Sequence, residues 1–349
     1  MNPAKPFFTA ILLFLIAFPA KAQSINDSIN WMSFDEVREE FSEVQKPVMI
    51  FLYSENSDSS VHMQETTFSN PEVANYINIL FYPLKLDVYS KEAYTFFDGR
   101  VFENTETSGD KHDLAFMLAG RNDTLPALVF FDINAQGQTF YGYKNRDEIF
   151  RTLIFYAENI GENTAYDNWI KYHTRAFPPG QEQVMTRLNV RWLPMAEAME
   201  KQAAHPKKIL LNFYDYRKVS CTVMRTQVFN DKRISDYINQ HYYPINVDVF
   251  STDTLEIFGR EYVNSGEAHK FHQLPIAALA GYMKFPAFII IDEESNVREK
   301  FQDFYTVEKL KPILEYYGSD AYKRENWEDF LKLYEKREAE KNKSQTPEQ

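Results

Sequence analysis

The sequence predicts an α/β protein in which a mixed sheet flanked by helices is built twice in tandem, and three observations carry that expectation. The chain has 349 residues, 44% hydrophobic and 16% aromatic, more than one core holds when single cores stop growing at roughly 250–300 residues. It repeats itself with a period of about 160 residues. Within each copy, apolar runs of strand length alternate with segments of helical period.

The repeat is legible residue by residue. Trp31-Met-Ser-Phe34 opens one copy and Trp192-Leu-Pro-Met195 the other. PVMIFLY (47–53) answers KILLNFY (208–214), Met63 answers Met224, and TFSNPEVANYIN (67–78) answers VFNDKRISDYIN (228–239). FYPLKLDVYS (81–90) matches YYPINVDVFS (242–251), and Gly99-Arg100 matches Gly259-Arg260. His112 and His272 each precede Leu-Ala-Gly, LPALVFFD (125–132) matches FPAFIIID (285–292), and Asn168-Trp169 matches Asn326-Trp327. All four Trp occupy equivalent places, two per copy, which chance does not arrange.

Each copy opens with an amphipathic helix, 33–44 with Ser33 as N-cap and 194–204 with Pro194 near its first turn. The apolar runs 47–53 and 208–214 are strands covered on both faces. One helix is expected over about 59–78 and another over 220–240, then strands ending in Asp87 and Asp248. Polar, looped inserts follow at about 90–110 and 251–268, then a short helix beginning at His112 or His272. Strands at 127–132 and 287–292, a turn, a last strand and helices near 146–158 and 306–317 complete the order β-α-β-α-β-β-α, with a leading and a trailing helix. FPPGQEQ interrupts both periodicities, so the expected boundaries are a first domain over 24–176, a linker over 177–188 and a second domain over 189–335. From Lys336 the tail, 336–349, has no apolar anchors and is expected to be disordered.

The first residues, MNPAKPFFTAILLFLIAFPAKAQ, read as a secretory signal over 1–22, with Lys5, an apolar run of 12 residues from Phe7 to Phe18, and Ala20 and Ala22 spaced for cleavage. A run that short does not span a bilayer, which takes roughly 20 residues. We therefore expect a secreted, periplasmic protein without an integral membrane span. Removing the leader with its two Lys takes the net charge from −12 to −14, which excludes nucleic acid as a natural partner. Cys221 is the single cysteine, so no internal disulfide forms.

Each copy resembles the periplasmic thioredoxin-like domains. The resemblance rests on the leading Trp-helix, the strand of KPVMIFLY type, the motif helix carrying Met63 or Met224, the TF…V..YIN segment, the strand ending in Asp, and the proline before LVFFD or FIIID. It implies the thioredoxin fold for nearly the whole mature chain. It also implies that Pro126 and Pro286 are the cis-prolines whose loops lie against the Cys-x-x-Cys site and pair with extended peptide. With Met63 and Met224 in register, the first cysteine position falls on Ser57 and Lys218, the second on Ser60 and Cys221. The Trp before the motif is replaced by Asn56 and Arg217, and the buried acid that shuttles a proton by Phe51 and Asn212. The family's reaction needs a thiolate at a helix N-terminus and a second thiol to resolve the mixed disulfide. Neither copy keeps both, so the motifs are degenerate.

Ser57 has no adjacent base, since His62 lies five residues along the helix, and one of Ser57, Asp58, Ser59 and Ser60, all good N-cap types, is expected to cap that helix. Cys221, with Lys218 three residues earlier, is the only catalytic candidate and could form an intermolecular disulfide. His112 and His272 read as residues bonding a helix start; with His269 beside His272 but no cysteine near, no metal site and no cofactor are expected. The expected function is a redox-inactive module that binds a polypeptide or envelope partner. The alternatives are a thiol-disulfide oxidoreductase working through Cys221 alone, and a structural scaffold.

Overall fold

The structure, a computed structural model, describes residues 28–105, 110–178, 188–264, 266 and 270–345. The expected signal over 1–22 and most of the expected linker lie outside the described residues, as does His269.

In the first repeat, α1 (Phe34–Glu43) begins at Ser33, whose hydroxyl accepts from the Glu36 amide while Glu36 answers the Ser33 amide, a capping box. It leads into β1 (Val48–Tyr53), α2 (Asp58–Met63), α3 (Pro71–Leu80) and β2 (Tyr82–Asp87). Then come β3 (Tyr94–Thr95), β4 (Val101–Phe102), α4 (Asp113–Ala119), β5 (Ala127–Phe131), β6 (Gly137–Tyr141), α5 (Arg146–Ala157) and α6 (Tyr166–Ala176). The second repeat runs through α7 (Met195–Ala204), β7 (Lys208–Tyr214), α8 (Val219–Val223), α9 (Lys232–His241) and β8 (Tyr242–Asp248). It continues with β9 (Leu255–Ile257), β10 (Arg260–Tyr262), α10 (Gln273–Ala278), β11 (Ala287–Ile291), β12 (Val297–Gln302), α11 (Val307–Gly318) and α12 (Trp327–Gln345).

Both sheets have the same order, β2-β1-β5-β6 and β8-β7-β11-β12. The pair at one edge of each sheet is parallel, β1 with β2 (Val48 opposite Tyr82) and β7 with β8 (Lys208 opposite Tyr242), and the central and remaining pairings are antiparallel. β1, β7 and β11 are buried along nearly their whole length, as expected of strands covered on both faces.

Three expectations are corrected. The helices expected over 59–78 and 220–240 are each broken by π-helical turns, Gln64–Phe68 and Met224–Val228, before a fresh helix starts. Asn70, bonding the Glu72 and Val73 amides ahead of Pro71, and Asp231, bonding the Arg233 amide, restart the chain as N-caps. The inserts contain small antiparallel hairpins, β3/β4 and β9/β10, rather than loop alone. The tail is helical to Gln345 instead of disordered from Lys336, because Arg337 pairs with Glu315 and Lys311 reaches Glu338 at 3.2 Å, tying α12 to α11. Among the described residues no helix is long and apolar enough to cross a membrane.

The two repeats share a core. One continuous cluster runs from Met49, Phe51 and Met63 through Trp169 to Val223, Met224, Phe304 and Leu310, so one face of each sheet is buried together. Trp169 of α6 is fully buried, donates its indole N–H to the Arg151 carbonyl at 2.8 Å and meets the Phe304 ring edge-on at 5.5 Å.

Candidate functional site

The turns 57–60 and 218–221 occupy equivalent places in the two repeats but unequal surroundings. In the first repeat, Ser57 is the N-cap of α2, its hydroxyl accepting from the Ser60 amide at 3.3 Å. Asp58 and Ser59 are exposed, while Ser60 is fully buried with a hydroxyl that has no partner among the described residues. His62 is exposed and stacks on Tyr143 at 5.0 Å, so it activates neither serine. The Leu125–Pro126 and Phe285–Pro286 peptide bonds are both cis.

In the second repeat the cap comes from the other domain. Lys218 holds the N-cap position of α8 but gives no side-chain bond. Instead the Glu158 carboxylate, at the end of α5, accepts from the Val219 and Ser220 amides, both at 2.9 Å. The chain that follows Glu158 continues across the same face. Glu162 receives the Lys284 ammonium at 2.6 Å, two residues before Pro286. Asn163 offers its carbonyl to Lys309, and the Thr164 hydroxyl donates to the Phe304 carbonyl at 2.9 Å. Tyr172 accepts from the Val307 amide and donates to Glu308, both at 3.0 Å. Thus the segment 158–164 lies on the motif turn, beside the cis-proline loop and on the β12–α11 loop of the second repeat.

A family model described as a thioredoxin-like domain matches residues 34–158 and 195–318, the two repeats. The chain belongs to the thioredoxin-like domain family. Among solved structures, a DsbH oxidoreductase is 22% identical, covering 38% of this chain and 87% of its own, with a TM-score of 0.25. A thioredoxin-fold protein from Helicobacter pylori is 16% identical, covering 46% and 92%, with a TM-score of 0.30. The DsbD C-terminal domain of Neisseria meningitidis in its oxidised form is 19% identical, covering 36% and 90%, with a TM-score of 0.25. Among curated protein sequences none matches.

Within the second thioredoxin-like domain, Cys221 is 5% exposed, and burial pushes its thiol well above the ordinary range, with the Glu158 carboxylate adding to the effect against the Lys218 ammonium. A thiol so placed stays protonated and out of reach. Arg217, just before this turn, folds back: its guanidinium chelates the buried Asp215 carboxylate at 3.0 Å and lies 3.9 Å from the Phe250 ring centre. On the equivalent strands, Phe51 joins a stack with Tyr53 at 5.4 Å, and Asn212 donates to Asn246 at 2.7 Å.

Sequence reasoning missed Glu158. It stands at a helix C-terminus, where the dipole disfavours a carboxylate, and its counterpart in the repeat is Ser319. That misfit was the available signal. Burial raises the Glu158 pKa, while the Lys218 ammonium and the bonds from Ser220 and Val219 pull it back.

His112 and His272 do bond helix starts. In each, Nδ1 accepts an amide at 3.1 Å, from Leu114 or Leu274, and Nε2 donates to an insert carbonyl, Glu92 at 2.9 Å or Asp253 at 3.0 Å. Both ring nitrogens are used. Among the described residues no group of three or more His, Cys, Asp or Glu is placed to hold a metal ion.

Proposed function

We propose that this protein is a secreted, redox-inactive tandem thioredoxin-like module that binds an extended polypeptide through its first domain, beside Pro126, while its second domain serves as a rigid support. The observation that carries the reading is the Glu158 carboxylate on the Val219 and Ser220 amides above a buried Cys221. It makes the second motif an internal joint and leaves no thiolate for exchange. In the first domain the turn at Ser57 and the Pro126 loop take no part in the hydrogen bonds across the domain boundary among the described residues. Strand addition to such a loop needs backbone groups and no thiol. The export assignment rests on the apolar leader. The shared core, running through Trp169, also favours a spacer role in which the two domains hold a fixed relation.

The test is fluorescence anisotropy of a labelled, reduced and carboxymethylated α-lactalbumin, a permanently unfolded chain, titrated with the folded protein. We expect saturable binding, weakened by Pro126→Ala and indifferent to Pro286→Ala. Absence of binding, or equal losses from the two variants, overturns the reading.

A further inference from the structure

A cavity of about 850 Å³ lies in the second domain between α7, β8 and the β9/β10 hairpin, on the face of the sheet opposite the shared core. Its floor is apolar, with Met195, Met199 and Leu255. Its walls carry Glu200, Asp248, Asp253, Glu256 and Glu261, and no Lys or Arg lines it. Glu256 and Glu261 face each other directly across the hairpin, a like-charge pairing that costs stability when nothing neutralises it. Neither they nor Glu200 have an ion-pair partner among the described residues.

The first domain shows what this place holds when the chain fills it itself. Hairpin register matches Leu255, Glu256 and Glu261 to Tyr94, Thr95 and Val101, because Tyr262 and Phe102 are the repeat equivalents they pair with. Likewise Met195 and Met199 match Phe34 and Arg38. Phe34 packs against Tyr94 at 5.6 Å and Phe97 at 5.6 Å, and the Arg38 guanidinium donates to the Thr95 carbonyl at 3.3 Å. There an aromatic ring and a cation are built in. In the second domain both are gone, replaced by adaptable thioethers and two added carboxylates.

We propose that this groove is a docking site for a basic polypeptide segment, one that alternates Lys or Arg with apolar side chains. The carboxylates are spread along the groove rather than converged on a point, which suits a row of ammonium or guanidinium groups and not a single metal ion. The thioether floor receives the apolar side chains between them, and the acidic chain as a whole steers such a partner in. The site is separate from the Pro126 groove and does not depend on it.

The experiment is calorimetric titration of the full chain with the capped peptide Ac-LKLKLK-NH2, with Ac-LELELE-NH2 and spermine as comparisons, at about 20 mM and about 500 mM salt, where screening differs strongly. We expect the Lys peptide alone to bind, more weakly at high salt. The double variant Glu256→Gln/Glu261→Gln should weaken it by about tenfold or more, Met199→Arg should abolish it by refilling the groove, and Pro126→Ala should leave it unchanged. The double Gln variant should melt no lower than the parent, since it relieves repulsion. No binding, unchanged binding in the double variant, a lowered melting temperature in that variant, or spermine binding as tightly as the peptide overturns the proposal.

Discussion

The two motif helices descend from one repeat, yet α2 closes on its own serine while α8 closes on a carboxylate from the neighbouring domain. Local self-sufficiency leaves a surface free for other molecules. Borrowed capping turns the same surface into a joint. The difference teaches that the amides at a helix start are a demand that something must meet, and in the second domain a side chain from elsewhere in the chain meets it.

The joint breaks most completely at Trp169. Trp169→Ala empties the centre of the shared core and removes the bond to Arg151, and we expect a loss of about 3–5 kcal/mol, measured by urea unfolding. Both domains should respond together, since their core is continuous. Two well-separated transitions in the parent protein would show that the joint does not couple them.

Glu158→Ala strands one buried and one half-buried donor and should cost about 1–3 kcal/mol, while Ser57→Ala removes one half-buried cap and should cost about 1 kcal/mol. The Glu158 change should also speed alkylation of Cys221 under native conditions, and the Ser57 change should not. In the parent, Cys221 should be alkylated about 100-fold more slowly folded than in urea, because the thiol is reached only by local opening. Equal losses from the two variants would dissolve the contrast between borrowed and local capping.

The smallest expected effect is a pH slope at the joint. Burial holds the His173 imidazole down at about 4, and it packs on Trp169 at 5.3 Å and Phe177 at 4.9 Å. Because the folded protein refuses a proton the unfolded chain accepts, this group's stability is full above about 6.5 and is lost as pH falls toward about 4. Asp303, raised by burial to about 6, acts in the opposite sense, losing stability as pH rises through that value. Comparing His173→Phe with the parent at pH 7 and pH 4.5 isolates the imidazole. The variant should lose less on acidification, and an unchanged difference would remove His173 from the account.

Much of this was legible in the sequence because it was written twice. Capping by Ser33, the buried strands and the roles of His112 and His272 follow from residue type and period, and their recurrence at equivalent positions supports each. Residues 336–345 misled because ion pairs to α11, invisible to periodicity, hold a helix with few apolar anchors. The π-turns were hidden because Met63 and Met224 continue a helical pattern while the hydrogen bonding shifts beneath it. At the site, the equivalence of the two turns could be read from the repeat alone. The joint could not, because Glu158 acts 61 residues away on Val219, on a turn whose own sequence gives no hint of an occupant.

The placement of Glu158 also limits what can be installed at this turn. A cysteine placed at Lys218 would remove the ammonium that offsets a buried carboxylate and would set the new thiol against that negative charge, raising its pKa when exchange chemistry needs it lowered. The carboxylate that closes the joint is thereby also a guard against an acidic thiol beside it.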